Sequence, residues 1–143
     1  MMRKCFLTML LLSIVVVVGA QDKKFSPEKF EAEMESYITR EAGLTQQEAA
    51  VVFPLMREMH KKQRGYYVRM HKMAKNKPDD EAGCEAMVNE YDKLNIEMKQ
   101  IEKCYHKKMM QQVAASKVYE IIKAEYRFHR SWMKGVNKKD RQR

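Results

Sequence analysis

After residue 25 the apolar residues recur at intervals of three and four, and no segment shows the strict alternation of a half-buried strand. The pattern predicts an all-α chain of about four helices. Ser26-Pro27 opens the first, with serine as N-cap and proline at the first helical position, where its missing N–H costs nothing. Phe30, Met34, Tyr37 and Ile38 line one face, Glu28, Glu31, Glu33 and Glu35 the opposite one, and Gly43 supplies the stop. A second helix runs from the Thr45 region to about Ala74, with a stripe of Val52, Leu55, Met56, Met59, Gln63, Tyr66, Met70 and Met73. Asn76-Lys77-Pro78 breaks it. A third, from about Asp79 to Gln111, carries Met87, Tyr91, Leu94, Met98, Ile101 and Tyr105 at the alternating spacing of a coiled-coil seam. The second and third helices are therefore expected to form a thin antiparallel hairpin, bent where Pro54 interrupts the backbone hydrogen bonding. A fourth helix places Val118, Ile121, Ile122, Glu125, His129 and Trp132 on one side, and a charged tail, 137–143, is expected to fray.

The first twenty residues belong to a different class of segment. Arg3 and Lys4 precede an apolar stretch from Phe6 to Val18, and Val18-Gly19-Ala20 provides small residues for cleavage after Ala20. An apolar run of about 13 residues is short of the roughly 20 that span a bilayer. The expectation is a signal peptide over 1–20, a single helical domain over 21–136 and a periplasmic location. Without Arg3 and Lys4, 28 − 2 = 26 basic side chains face 19 acidic ones, a net charge of +7. A basic exported protein meets anionic surfaces and acidic or unfolded chains rather than a genome, so nucleic acid is not an expected partner. Cys84 and Cys104 lie about 30 Å apart if they share one helix, against a bridging limit of about 7 Å, so free thiols or a bond between subunits are expected.

Leu44-Thr45-Gln46-Gln47-Glu48-Ala49 reads as a helix start. The Thr45 hydroxyl can accept from the Glu48 N–H while the Glu48 carboxylate accepts from the Thr45 N–H, a capping box, and Leu44 can staple against Ala49. A short acidic helix, this motif, Phe53-Pro54 and then long basic helices together resemble the Spy/CpxP family of periplasmic proteins, marked by repeated Leu-Thr-x-x-Gln. The variant it is most similar to is that of Bacteroidetes-type envelope proteins described as sensors of extracytoplasmic sigma factors. Two departures stand out: Glu48 replaces glutamine, and where a second copy of the motif belongs the chain has Val113-Ala114-Ala115-Ser116-Lys117, although Ala124-Glu125-Tyr126-Arg127-Phe128 fits the pattern that follows it. The resemblance implies a helical cradle, a homodimer, and capture of unfolded or envelope proteins without ATP, in some relatives with a regulatory membrane partner or a metal-sensing role.

The residues offer such a surface. Eight cations between Arg57 and Lys77 face a single acid, Glu58, with tyrosines and methionines interleaved. Flexible, polarisable methionines suit a face that must repack around many partners. Arg57, Lys61, Lys62, Arg64 and Arg69 are the candidates for electrostatic capture and Tyr66, Tyr67 and Met70 for apolar contact; the bland alternative is that the methionines and tyrosines are core and the cations a solvated face. Glu31 and Glu35 are expected to cover part of this basic helix. The alternative chemistry is metal sensing by Met59, His60, His71 and His106. His60 and His71 stand eleven residues, about 16 Å, apart along a helix and cannot share one ion. No nucleophile elbow, phosphate-binding glycine loop or His-Glu-x-x-His occurs, no cofactor is expected, and the chain does not read as an enzyme.

Overall fold

A computed structural model describes the backbone of residues 25–140 and the side chains of residues 25–135. The expected signal peptide lies outside the described residues. Four helices follow one another, α1 (Pro27–Glu41), α2 (Gln46–Lys75), α3 (Glu81–Met110) and α4 (Ala115–Asp140), and no strand occurs among the described residues. α4 continues four residues past the expected boundary at 136.

Local chemistry sets these boundaries. Ser26 caps α1, its Oγ accepting from the Lys29 N–H at 3.3 Å. At the other end Gly43, with φ +59°, turns the chain so that its N–H reaches the Arg40 carbonyl at 3.4 Å and the Leu44 N–H reaches that of Thr39 at 3.0 Å. This pair of bonds is a Schellman motif, and its left-handed residue favours glycine. The capping box opens α2: the Glu48 N–H donates to Thr45 Oγ1 at 3.1 Å and the Thr45 N–H to Glu48 Oε2 at 2.9 Å. Leu44 is buried in the core and Ala49 packs against the same cluster, as a staple requires. Pro54 lies within α2 and deprives the Ala50 carbonyl of its helical donor; both residues are exposed, which leaves that carbonyl to water. Asp80 caps α3 through the Gly83 N–H at 2.8 Å. A Cβ at Gly83 would stand 2.6 Å from Asp80 Oδ1 and 2.7 Å from Pro78 Cβ, so the tight α2–α3 loop requires a glycine there.

Two antiparallel pairs make up the molecule. α2 lies along α3, with Gln63 beside Glu102 and Arg69 beside Glu90; α1 lies along α4, with Gly43 near Lys117 and Phe30 near Trp132. The shared core joins Met34 and Ile38 of α1, Val52, Phe53, Met56 and Met59 of α2, Tyr105 and Met109 of α3, and Val118, Ile121, Ala124 and Phe128 of α4. Each fully buried large side chain contributes roughly 1.5–3 kcal/mol. Between α1 and α4 the rings of Phe30, Tyr37, Phe128 and Trp132 pack at centroid distances of 4.9–6.0 Å.

Core membership is uneven along the hairpin. Leu94 and Met98 are buried outside the main cluster, while Tyr91, one step further toward the loop on the expected seam, is 48% exposed. The helices α1 and α4 cover only the first half of α2 and the last half of α3. Beyond them α2 and α3 continue as a two-helix arm, in which a seam residue has one neighbouring helix rather than three. Ile122, expected on the buried face of α4, is 37% exposed; Ala124 and Phe128 occupy the core positions instead.

Candidate binding surface

Positions 57, 61, 64, 68, 72 and 75 step by three and four and so share one outward face of α2, about 27 Å long. All six residues are exposed: Arg57, Lys61, Arg64, Val68, Lys72 and Lys75. Arg57 is already engaged. Its Nε and Nη2 donate at 2.7 Å to the two carboxylate oxygens of Glu35, and Glu31 lies 3.4 Å from Nε. The Glu35 hydrogen bond raises the guanidinium pKa. The acidic face of α1 thus meets the basic helix at its first cation and leaves the rest of the stripe uncovered. Lys61, Arg64, Lys72 and Lys75 have no carboxylate within ion-pair distance among the described residues.

The other candidates turn toward α3. Lys62 pairs with Glu58 at 3.7 Å and stands 5.3 Å over the Tyr105 ring; Arg69 is hydrogen-bonded to Glu90. Tyr66 and Met70 are half-buried along the seam of the arm. Tyr67 is exposed. Its phenol pKa is raised by partial burial and by the negative Glu102 and Glu125, with Lys99 acting in the opposite sense. The capture set read from the sequence therefore divides in two. Lys61 and Arg64 belong to the outward stripe with Val68, Lys72 and Lys75, whereas Lys62, Tyr66, Arg69 and Met70 help hold the hairpin.

A second polar cluster joins α2 to α4. His60 Nε2 lies 2.7 Å from Glu125 Oε1, and His129 Nε2 lies 3.7 Å from the same oxygen. Burial opposes the charge of Glu125, but hydrogen bonding and attraction from His129 and His60 outweigh it and bring its pKa down to about 2. Sequence periodicity placed Glu125 and His129 on the inner side of α4 but gave no sign of their partner on α2. Met59 is in the core, His60 is taken by Glu125, and His71 is exposed. His106 is half-buried on α3. Among the described residues no group of three or more His, Cys, Asp or Glu is placed to hold a metal ion. Cys84 and Cys104 are both unpaired thiols on α3.

Lys117 joins the start of α4 to the end of α1. Lys117 Nζ donates to the carbonyls of Gly43 at 2.6 Å and Ala42 at 3.2 Å, and lies 3.9 Å from Glu48. A cation thus sits at the C-terminal end of α1, where the helix dipole favours it, and ties the Thr45–Glu48 capping box to the start of α4.

Comparison with known protein families, curated proteins and solved structures finds no match.

Proposed function

We propose that the chain is an exported, ATP-independent binding protein that captures unfolded or stress-damaged envelope proteins on the outward face of α2. The observation that carries this reading is the row of cations without a carboxylate partner among the described residues, Lys61, Arg64, Lys72 and Lys75, around the exposed Val68, with Tyr67 exposed next to it in the chain. Long-range attraction of acidic segments would bring a client to this face. Apolar contact with Val68 and Tyr67 would then hold it without demanding one shape. No part of this needs a nucleotide or a cofactor.

The test is aggregation of an unrelated denatured protein, such as reduced lysozyme, with the chain from Gln21 present at substoichiometric to equal ratios and no ATP. Suppression that weakens with added salt, and that is lost when Lys61, Arg64, Lys72 and Lys75 are all changed to glutamate, is the expected result. Aggregation that proceeds unchanged in the presence of the unmodified protein refutes the reading.

A further inference from the structure

α4 carries a second exposed stripe that the core does not use. Tyr119, Ile122, Tyr126 and Met133 follow one another at intervals of three, four and seven and therefore share a face adjacent to the buried one. Tyr119 is 61% exposed, Tyr126 67% and Met133 59%. On the outer side of this stripe Lys123 stands 5.2 Å over the Tyr119 ring, and Arg130 and Lys134 have no carboxylate partner among the described residues. The sequence after Glu125 contains seven cations and one acid, Asp140.

Three occupants could cover such a face, and the observations separate them. A second copy of α4 would bring the same cations against themselves. A folded protein partner needs about 800 Å² and 20–30 residues a side, far more than four partly exposed side chains on one convex helix provide. An anionic bilayer needs neither a groove nor a large rigid area. It accepts shallow insertion of apolar and aromatic side chains, tyrosine fits the headgroup level, and each nearby cation adds to the attraction. No described helix is long and apolar enough to cross a membrane, so α4 would lie on the surface rather than span it. We infer that α4 is an interfacial helix that docks the protein on anionic phospholipid through Tyr119, Ile122, Tyr126 and Met133, with Arg130 and Lys134 at the headgroups.

The inference is independent of capture by α2, and the experiment keeps the two apart. The chain from Gln21, which contains every helix described, is sedimented with vesicles of phosphatidylcholine alone and with vesicles containing about one third phosphatidylglycerol. Binding to the anionic vesicles should exceed binding to the neutral ones by about tenfold or more at low salt and fall as salt is raised. Changing Tyr119, Tyr126 and Met133 to serine should weaken it about tenfold, and Arg130→Glu with Lys134→Glu should remove the preference for anionic lipid. These positions are exposed, so circular dichroism should show an unchanged fold. Glutamates at Lys61, Arg64, Lys72 and Lys75 should leave most vesicle binding in place, and the serine variant should still suppress aggregation. Absence of binding to anionic vesicles at low salt overturns the inference, as does equal binding by the serine variant. Binding to an acidic amphipathic peptide but not to vesicles also overturns it and assigns the stripe to a protein partner.

Discussion

Glu125 is charged in a place where water could not keep it so, because two imidazoles from different turns and helices face one of its oxygens. Its folded pKa, about 2, lies below the ordinary value of 4.5. A carboxyl shifted down stabilises the folded state fully above its unfolded pKa, and that contribution is lost as pH falls from about 4.5 toward 2. The size is on the order of 3 kcal/mol. Glu125→Gln should therefore lower the denaturant midpoint at pH 7 by the larger amount. The two proteins should converge on acidification, and the difference between their urea curves from pH 7 to pH 2.5 measures it. A gap independent of pH would mean that packing, not charge, holds the site. Tyr105 is the opposite case. Its ring is buried and lies 4.4 Å from the Lys108 ammonium, and its buried hydroxyl, which makes no well-aligned hydrogen bond among the described residues, lies near Glu58 and Lys62, lowering the pKa of the first and raising that of the second. An unsatisfied buried hydroxyl costs about 1–3 kcal/mol, and a phenylalanine retains the ring and the cation contact. Tyr105→Phe should raise the melting temperature or leave it unchanged, and a clear fall would reveal a partner for the hydroxyl.

Helix ends are where sequence and structure agree most closely, because a cap is a bond between residues three to five apart. Ser26, Thr45 with Glu48, and Gly43 are legible one at a time from local chemistry, and each makes its expected bonds. The start of α4 is different. Ala114, whose carbonyl accepts from the Val118 N–H at 3.2 Å, offers no side-chain oxygen to the free N–H groups of the first turn. An alanine at this cap position, in place of Ser, Thr, Asp or Asn, leaves those groups to water. Ala114→Ser should recover about 0.5–1 kcal/mol, and Gly43→Ala, which forces a Cβ into the left-handed region, should cost about 1 kcal/mol. Chemical denaturation of the two single variants checks both signs. Side-chain partners between helices were less legible. Periodicity assigns a face but not a neighbour, so Ile122 and Tyr91 read as core although they are 37% and 48% exposed, and the His60–Glu125 contact spans 65 residues without any local mark. The Glu31 and Glu35 contacts to Arg57 could be anticipated because an acidic and a basic helix follow one another across a tight turn. That contact could not reveal which cations remain unpaired, since Lys62 and Arg69 find their acids on α2 and α3.

At the scale of the whole molecule, stability and the proposed capture surface occupy the same two helices but not the same half of them. The half of the α2–α3 hairpin bounded by Val52–Met59 and Tyr105–Met109 shares a core with α1 and α4. The far half, with Tyr67, Val68, Val88 and Tyr91 exposed, is held by Leu94, Met98, the Gln63–Glu102 hydrogen bond and the Arg69–Glu90 pair. An exposed ion pair contributes about 0–1 kcal/mol, so the arm depends on the buried Leu94 and Met98, on the half-buried Tyr66 and Met70, and on helix propensity. Such a segment should open by itself at a lower free energy than the global unfolding of the chain. Hydrogen exchange followed by mass spectrometry should then show the amides of 66–92 exchanging well before those of 52–63 and 101–109. Low arm stability fits a surface that must adapt to clients of different shape, since an opening that costs little lets Met70 and Tyr66 leave the seam for a client. If the outward face of α2 is the capture site, a bound unfolded protein should slow exchange in the α2 part of the arm more than in the α1–α4 layer. Protection confined to α1 and α4 would move the binding site off α2 altogether. Uniform slow exchange along the hairpin without client would show that the arm is as rigid as the core, and capture would then have to proceed on a fixed face.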